Sequence, residues 1–205
     1  MSSAAVRTRY TPEQYLALER KAAFKSEYDN GFISAMSGAS LAHNRIAVNL
    51  TGAISPRLKD GPCERFVGDL RVCISSVGLY AYPNLVAVCG EPHFLDSELD
   101  TLLNPTLIIE ILSPSTETYD RGRKFAHYRR APSLREYVLV SQDKPLVERY
   151  TRQGEEWVLN DLTGLDDVLR LTSVGCEVPL REVYARVSFP ESDEPTTGLL
   201  GPPRN

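Results

Sequence analysis

A chain of 205 residues with 42% hydrophobic and 24% charged side chains has the makeup of a water-facing globular protein, long enough to bury a real core. Its formal charge of −4 excludes coating of nucleic acid through bulk positive charge, although a local basic groove stays compatible with it. No apolar run nears the roughly 20 residues that span a bilayer, and "MSSAAVRTRYTPEQ" lacks the apolar stretch of a secretion signal, so a cytoplasmic protein with no membrane partner is expected.

Residues 1–9 read as a flexible lead-in, and the first element follows at once. In Thr11-Pro12-Glu13-Gln14, threonine can cap, proline suits a first helical turn and the acid favours the positive end of the dipole. The helix should run to about Lys21. "FKSEYDNGFISAMSG" reads as a hairpin, because Asn30-Gly31 supplies the positive φ angles of a tight turn. Ser40 then caps a longer helix, with Ile46, Leu50, Ala53, Ile54 and Leu58 on one apolar stripe.

From Arg65 the pattern becomes strand-like. "RFVGDLRVCIS" and "LYAYPNLVAVCG" each read as one strand, residues 90–105 as a polar loop, and "TLIIEIL" as a central strand covered on both faces. "YDRGRKFAHYRR" reads as a short helix with Asp120 as a cap and Pro132 as its stop. "EYVLVSQ", "LVERYTR" and "EEWVLND" are further strands, the last two joined by a turn at Gln153-Gly154. The tail 190–205, rich in proline, glycine and acid, reads as disordered, leaving a single domain over 10–189. The order of elements suits an α+β domain built on a mixed sheet flanked by helices. Cys63, Cys73, Cys89 and Cys176 show neither a C-x-x-C pair nor zinc spacing, so four buried free thiols in a reducing compartment are expected.

No glycine-rich phosphate loop, nucleotide fingerprint or nucleophile elbow is present in the sequence. Glu110 stands out instead: a carboxylate inside an apolar strand costs several kcal/mol if unpaired. It is either half of a core ion pair or a functional acid. Asn84 follows Pro83 before the neighbouring apolar run, where a turn asparagine is the ordinary reading. Lys124 alone reads as a solvated helix lysine, but Arg121, Arg123, Arg129 and Arg130 make its segment basic, as a phosphate-contacting surface would be. His43 opens the long helix, and Glu27 sits in the hairpin, where an exposed strand position is the plain reading. Asp69 either points inward or pairs with Arg71.

The segment "NPTLIIEILSPSTETYDRGRKFAHYRRAPSLREYVLV", with "YTPEQYLAL", "HNRIAVNL" and "YPN" in order before it, resembles the Uma-type restriction-endonuclease family of the PD-(D/E)XK nuclease superfamily. The likeness covers about Tyr10 to Val187. It implies a restriction-endonuclease-like core and divalent-metal-dependent hydrolysis of DNA phosphodiester bonds, with Mg²⁺ or Mn²⁺ as cofactor and homodimeric assembly as in many nucleases of the superfamily. Carried over by position, Asn84 and Glu110 would hold the metal, with Lys124 acting beside them and Glu27 and His43 near the site. The lysine that the wider superfamily places two residues after the strand acid is replaced by Leu112. Asn84 stands where the family has aspartate, which removes a charge from the ligand set and weakens cation affinity; Glu27 or Asp69 would compensate if either reached the ion. Two other functions therefore stand beside the enzyme: a catalytically inactive nuclease fold that binds nucleic acid, and a structural or oligomerisation module.

Overall fold

The computed structural model describes residues 8–190. Of the expected flexible lead-in at 1–9 and disordered tail at 190–205, residues 1–7 and 191–205 lie outside the described residues. Helix α1 (Pro12–Glu19) starts with a full capping box, in which the Thr11 hydroxyl accepts the Gln14 N–H and the Gln14 side chain accepts the Thr11 N–H. Strands β1 (Ser26–Asp29) and β2 (Phe32–Ala35) form the expected hairpin, with Asn30 and Gly31 at φ 45° and 100°. Helix α2 (Leu41–Leu58) is capped by Ser40 and buries the anticipated stripe.

The next two expected strands are each broken in two. Residues 63–74 divide into β3 (Cys63–Val67) and β4 (Arg71–Ile74) around Gly68, which turns at φ 61°. Residues 79–89 divide into β5 (Leu79–Ala81) and β6 (Leu85–Cys89) around Pro83 and Asn84. Proline has no N–H to give a central ladder, so the chain leaves one sheet there and joins another. The two crossings meet, since the Gly68 N–H donates to the Asn84 carbonyl at 3.3 Å. The expected polar loop 90–105 contains a short strand, β7 (Thr101–Leu102), parallel to β4.

Strand β8 (Leu107–Ile111) is buried throughout and runs antiparallel to β6 and parallel to β9 (Glu136–Val140). Strands β10 (Val147–Gln153) and β11 (Glu156–Leu162) extend that sheet as the expected hairpin. The sheet orders are β2-β1-β5-β4-β7 and β11-β10-β9-β8-β6-β3. A further hairpin, β12 (Val168–Leu171) with β13 (Cys176–Pro179), and a helical turn at Leu180–Val183 were not anticipated.

Strand periodicity fixes what β8 offers to each side. Leu107, Ile109 and Ile111 pack toward the α2 stripe, whereas Ile108 and Leu112 join Tyr128, Tyr137 and Leu139 on the opposite face. Glu110 belongs by alternation to this second face. Cys63 and Cys89 are register partners across β3 and β6 and form a disulfide, which corrects the expectation of four free thiols; Cys73 and Cys176 are free and buried. Among the described residues no helix is long and apolar enough to cross a membrane.

The far end of β9 carries a second buried acid. Glu136 has no solvent exposure, and its carboxylate accepts the backbone N–H and side-chain hydroxyl of both Thr172 and Ser173. It ties the β12–β13 hairpin to the main sheet. Glu136→Ala would leave those donors in competition for little water, so a loss of about 3 kcal/mol is expected. Urea unfolding checks this, with Glu136→Gln losing less because its amide oxygen still accepts.

Candidate functional site

Both sheets, α2 and the helical segment after β8 contribute to one cleft of about 1050 Å³. The segment after β8 is helical at Glu117–Tyr119 and Phe125–Tyr128, with a π-helical turn at Asp120–Lys124 between them. Such a turn rotates successive side chains differently from an α-helix and often marks a functional site. Here both Asp120 and Lys124 point into the protein. The Tyr137 hydroxyl holds the turn by donating to the Asp120 carbonyl at 3.0 Å.

Lys124 is 5% exposed, not the solvated helix lysine that its sequence context suggested. Its Nζ lies 2.9 Å from Glu27 Oε1, 3.0 Å from Glu110 Oε1 and 3.4 Å from Asp120 Oδ1. One ammonium thus gathers carboxylates from β1, β8 and the π-helical turn. Glu110 Oε1 also accepts the buried Tyr128 hydroxyl at 3.2 Å, and Glu27 Oε1 accepts the Tyr82 N–H at 3.3 Å. Glu27 is therefore tied into the cleft rather than freely exposed. The core ion pair weighed for Glu110 is present, with Lys124 as its partner.

Burial pushes the Glu110 carboxyl up to about 7; the Lys124 ammonium pulls it down, while Asp120 and Glu27 add to the rise. Asp120 is raised for the same first reason. Burial would lower the Lys124 pKa, but Glu110, Glu27 and Asp120 together hold it well above its ordinary value. The lysine is a fixed cation in a site with acids to spare.

Asn84 has a different part. Its Oδ1 accepts the Ile111 N–H at 2.7 Å, and its Nδ2 lies 3.2 Å from His43 Nε2. Because the Ile111 donor requires the oxygen on its side, the amide nitrogen must face the imidazole. His43 Nε2 is then the acceptor and Nδ1 carries the proton. Burial lowers the His43 pKa, in keeping with a neutral ring. The Ser40 hydroxyl, at the α2 N-cap, accepts the His43 N–H at 3.0 Å and holds the residue in place.

Among the described residues, no group of three or more His, Cys, Asp or Glu side chains is arranged to hold a metal ion. Lys124 occupies the centre of the carboxylates, and the Asn84 oxygen is engaged by backbone. Glu27 Oε2 and Glu110 Oε2, however, accept no hydrogen bond from the described residues, and both side chains line the cleft. Mg²⁺ is commonly held by one or two carboxylates, with waters and substrate phosphate completing its shell. The donor set fits a cation of that kind.

Sequence reasoning brought Glu27, His43, Asn84, Glu110 and Lys124 to this cleft, and all five line it. Asp69 does not join the cluster: its side chain is 92% exposed and pairs with Lys25 at 2.8 Å, while Arg71 pairs with Asp100 at 2.7 Å. Asp120 was read as a cap but is a member of the cluster; its spacing of four from Lys124 was the available signal. The basic surface expected on this segment is largely spent internally. Arg121 pairs with Glu117 and Glu148, and Arg123 pairs with Asp29, leaving Arg129 and Arg130 exposed.

Residues 12–181 match the Uma2 family, described as "Putative restriction endonuclease". Two Synechocystis sp. proteins are similar over most of their length. "Uncharacterized protein sll1609" is 38% identical over 155 residues, 75% of this chain and 88% of that one. "Uncharacterized protein slr1290" is 33% identical over 180 residues, 87% of this chain and 93% of that one. The fold matches a crystal structure from Anabaena variabilis described as "a putative nuclease belonging to DUF820", with a TM-score of 0.68 at 17% identity, covering 84% of this chain and 96% of that one.

Proposed function

The chain belongs to the Uma2 family, described as "Putative restriction endonuclease", and from that premise we propose that it hydrolyses DNA phosphodiester bonds at the Lys124 cleft with the help of a divalent cation. The observation that carries this reading is the meeting of Glu27, Glu110 and Asp120 on one buried ammonium at the base of an open cleft. Glu27 and Glu110 would hold Mg²⁺ or Mn²⁺, which supplies Lewis-acid polarisation of a phosphate and an acidified water when bound. Lys124 provides a permanent, preorganised positive charge where negative charge grows on the phosphate oxygens. Tyr128 and the Tyr82 backbone orient the two glutamates. His43, neutral and held by Asn84, lines the cleft as a hydrogen-bonding group. Asn84 secures the end of β8 through Ile111 and brings no charge.

That last feature favours a second reading, a nuclease fold that binds nucleic acid without cutting it. Nicking of supercoiled plasmid in Mn²⁺ separates the two. The native protein is expected to nick above a chelated control, and Glu110→Ala to lose at least about tenfold in rate while keeping its circular dichroism spectrum. Salt-dependent plasmid binding without nicking would replace the enzyme by the binding protein.

A further inference from the structure

The cleft around Lys124 is poor in free positive charge. Of its basic lining residues, Lys124 is surrounded by acids and Lys25 Nζ is engaged by Asp69 and by the Gly68 carbonyl, while Glu27, Asp29, Glu110 and Asp120 also line it. The outer wall supplies hydroxyls, from Ser34 through Ser115, and two apolar side chains held out to solvent. Phe24 is 68% exposed in the connection from α1 to β1, and Met36 is 38% exposed just after β2. The Met36 N–H donates to the Lys25 carbonyl at 3.0 Å, so the two connections are joined and the apolar pair belongs to one rim.

Duplex DNA carries one negative charge per roughly 1.7 Å of axis, and proteins that grip it neutralise many phosphates with free lysines and arginines. This cleft lacks them, and the adjoining helical segment spends Arg121 and Arg123 on acids of its own chain. An unpaired strand offers what a duplex does not: bases free to stack on a π-face and to hydrogen-bond through their edges, so that stacking supplies affinity beside the phosphate contacts. Phe24, Met36 and the hydroxyl-lined wall suit such a strand. We propose that the cleft takes an unpaired segment of DNA, single-stranded or looped out of a duplex, with a base stacked on Phe24 and its phosphate directed toward Lys124. The proposal rests on the nuclease reading for the identity of the polymer, and on the rim itself for its unpaired state.

The test is equilibrium binding by fluorescence anisotropy of the whole protein in chelator. Its probes are a labelled oligothymidine strand, the matching oligouridine strand and the duplex of the deoxy strand with its complement. The deoxy single strand is expected to bind at least about tenfold tighter than the duplex, with a salt slope corresponding to about three phosphate contacts or fewer. Phe24→Ala should weaken single-strand binding about tenfold, and Phe24→Trp should keep it, as loss and retention of one stacking platform would do. Equal or tighter duplex binding, a Phe24→Ala variant that binds like the native protein, or no binding to any probe overturns the proposal. A preference for oligouridine overturns its assignment to DNA. Since no cation or turnover enters this measurement, its result is independent of plasmid nicking, by which the enzyme reading itself stands or falls.

Discussion

Lys124→Met is expected to lower the folding stability by about 3–5 kcal/mol at pH 8, the usual consequence of removing one partner from a buried charge cluster. Methionine fills similar space, so the loss is electrostatic in origin: Glu27, Glu110 and Asp120 would keep their places around an uncharged thioether. The pH dependence identifies the cause. In the native protein Lys124 is held above its ordinary pKa of 10.5, so its contribution is complete below that value and is lost only as pH rises through the higher folded one. Glu110 is raised from 4.5 to about 7, so the stability linked to its proton is fully present below 4.5 and is lost as pH rises through about 7.

Without the ammonium, the main group that pulls Glu110 down is gone, and the carboxyls of Glu110 and Asp120 titrate higher still. The deficit of Lys124→Met should therefore be greatest at pH 8 and shrink as pH falls toward 5. Urea unfolding at pH 5, 6.5 and 8 in chelator measures it, and adding Glu110→Gln to the variant should return about 1 kcal/mol or more at pH 8. A deficit that ignores pH would make Lys124 a packing residue. A negligible deficit would mean that the cluster is open to water in solution.

Much of this cleft is legible in the sequence alone. Glu110 is conspicuous because a carboxylate among Ile108, Ile109 and Ile111 demands a partner whatever its role. The hairpin at Asn30-Gly31 and the stripe of α2 are equally plain, since both are written in local periodicity and turn chemistry. Lys124 was not legible as a buried residue. Its burial depends on a π-helical turn, and a stretch reading Asp-Arg-Gly-Arg-Lys carries no marker of one. The strand breaks at Gly68 and Pro83 were hidden for a related reason. Residues on either side are apolar and strand-like, and only the assignment of β3 and β6 to one sheet and β4 and β5 to the other makes the interruption necessary. The Cys63–Cys89 pair follows from the β3–β6 register, which is a tertiary fact with a separation of 26 residues.

Those same breaks explain why the site is where it is. Tyr82, Pro83 and Asn84 lie between β5 and β6, where the chain passes from one sheet to the other. Three groups on this crossing reach the cluster or its neighbours: the Tyr82 N–H binds Glu27, Asn84 Oδ1 binds Ile111, and the Asn84 amide meets His43. The crossing positions a strand acid from each sheet. A carboxylate at Asn84 would face the cleft with the geometry already prepared for it.

Asn84→Asp is accordingly expected to raise Mn²⁺ affinity by about ten- to a hundredfold and to increase plasmid nicking in step. One unit charge about 4 Å from another is worth about 4 kcal/mol at an effective dielectric of 20, and partial solvation reduces this to about 1–3 kcal/mol. The substitution is nearly isosteric. One aspartate oxygen can keep the Ile111 N–H, and the other replaces Nδ2 opposite His43 Nε2, which must then carry the proton. The His43 tautomer should switch from Nδ1–H to Nε2–H, visible in the nitrogen chemical shifts of the labelled ring. In chelator the added charge shares the cleft with Glu27 and Glu110, so the variant should unfold at lower urea than the native protein and recover when Mn²⁺ is supplied. Calorimetric titration with Mn²⁺, beside nicking by the native and Asn84→Asp proteins, gives the decision. If affinity and nicking both rise, the asparagine weakens an otherwise competent nuclease site. If the tautomer switches but neither affinity nor cutting changes, Asn84 serves as a clamp between β8 and α2, and the cation is not held at this end of the cleft.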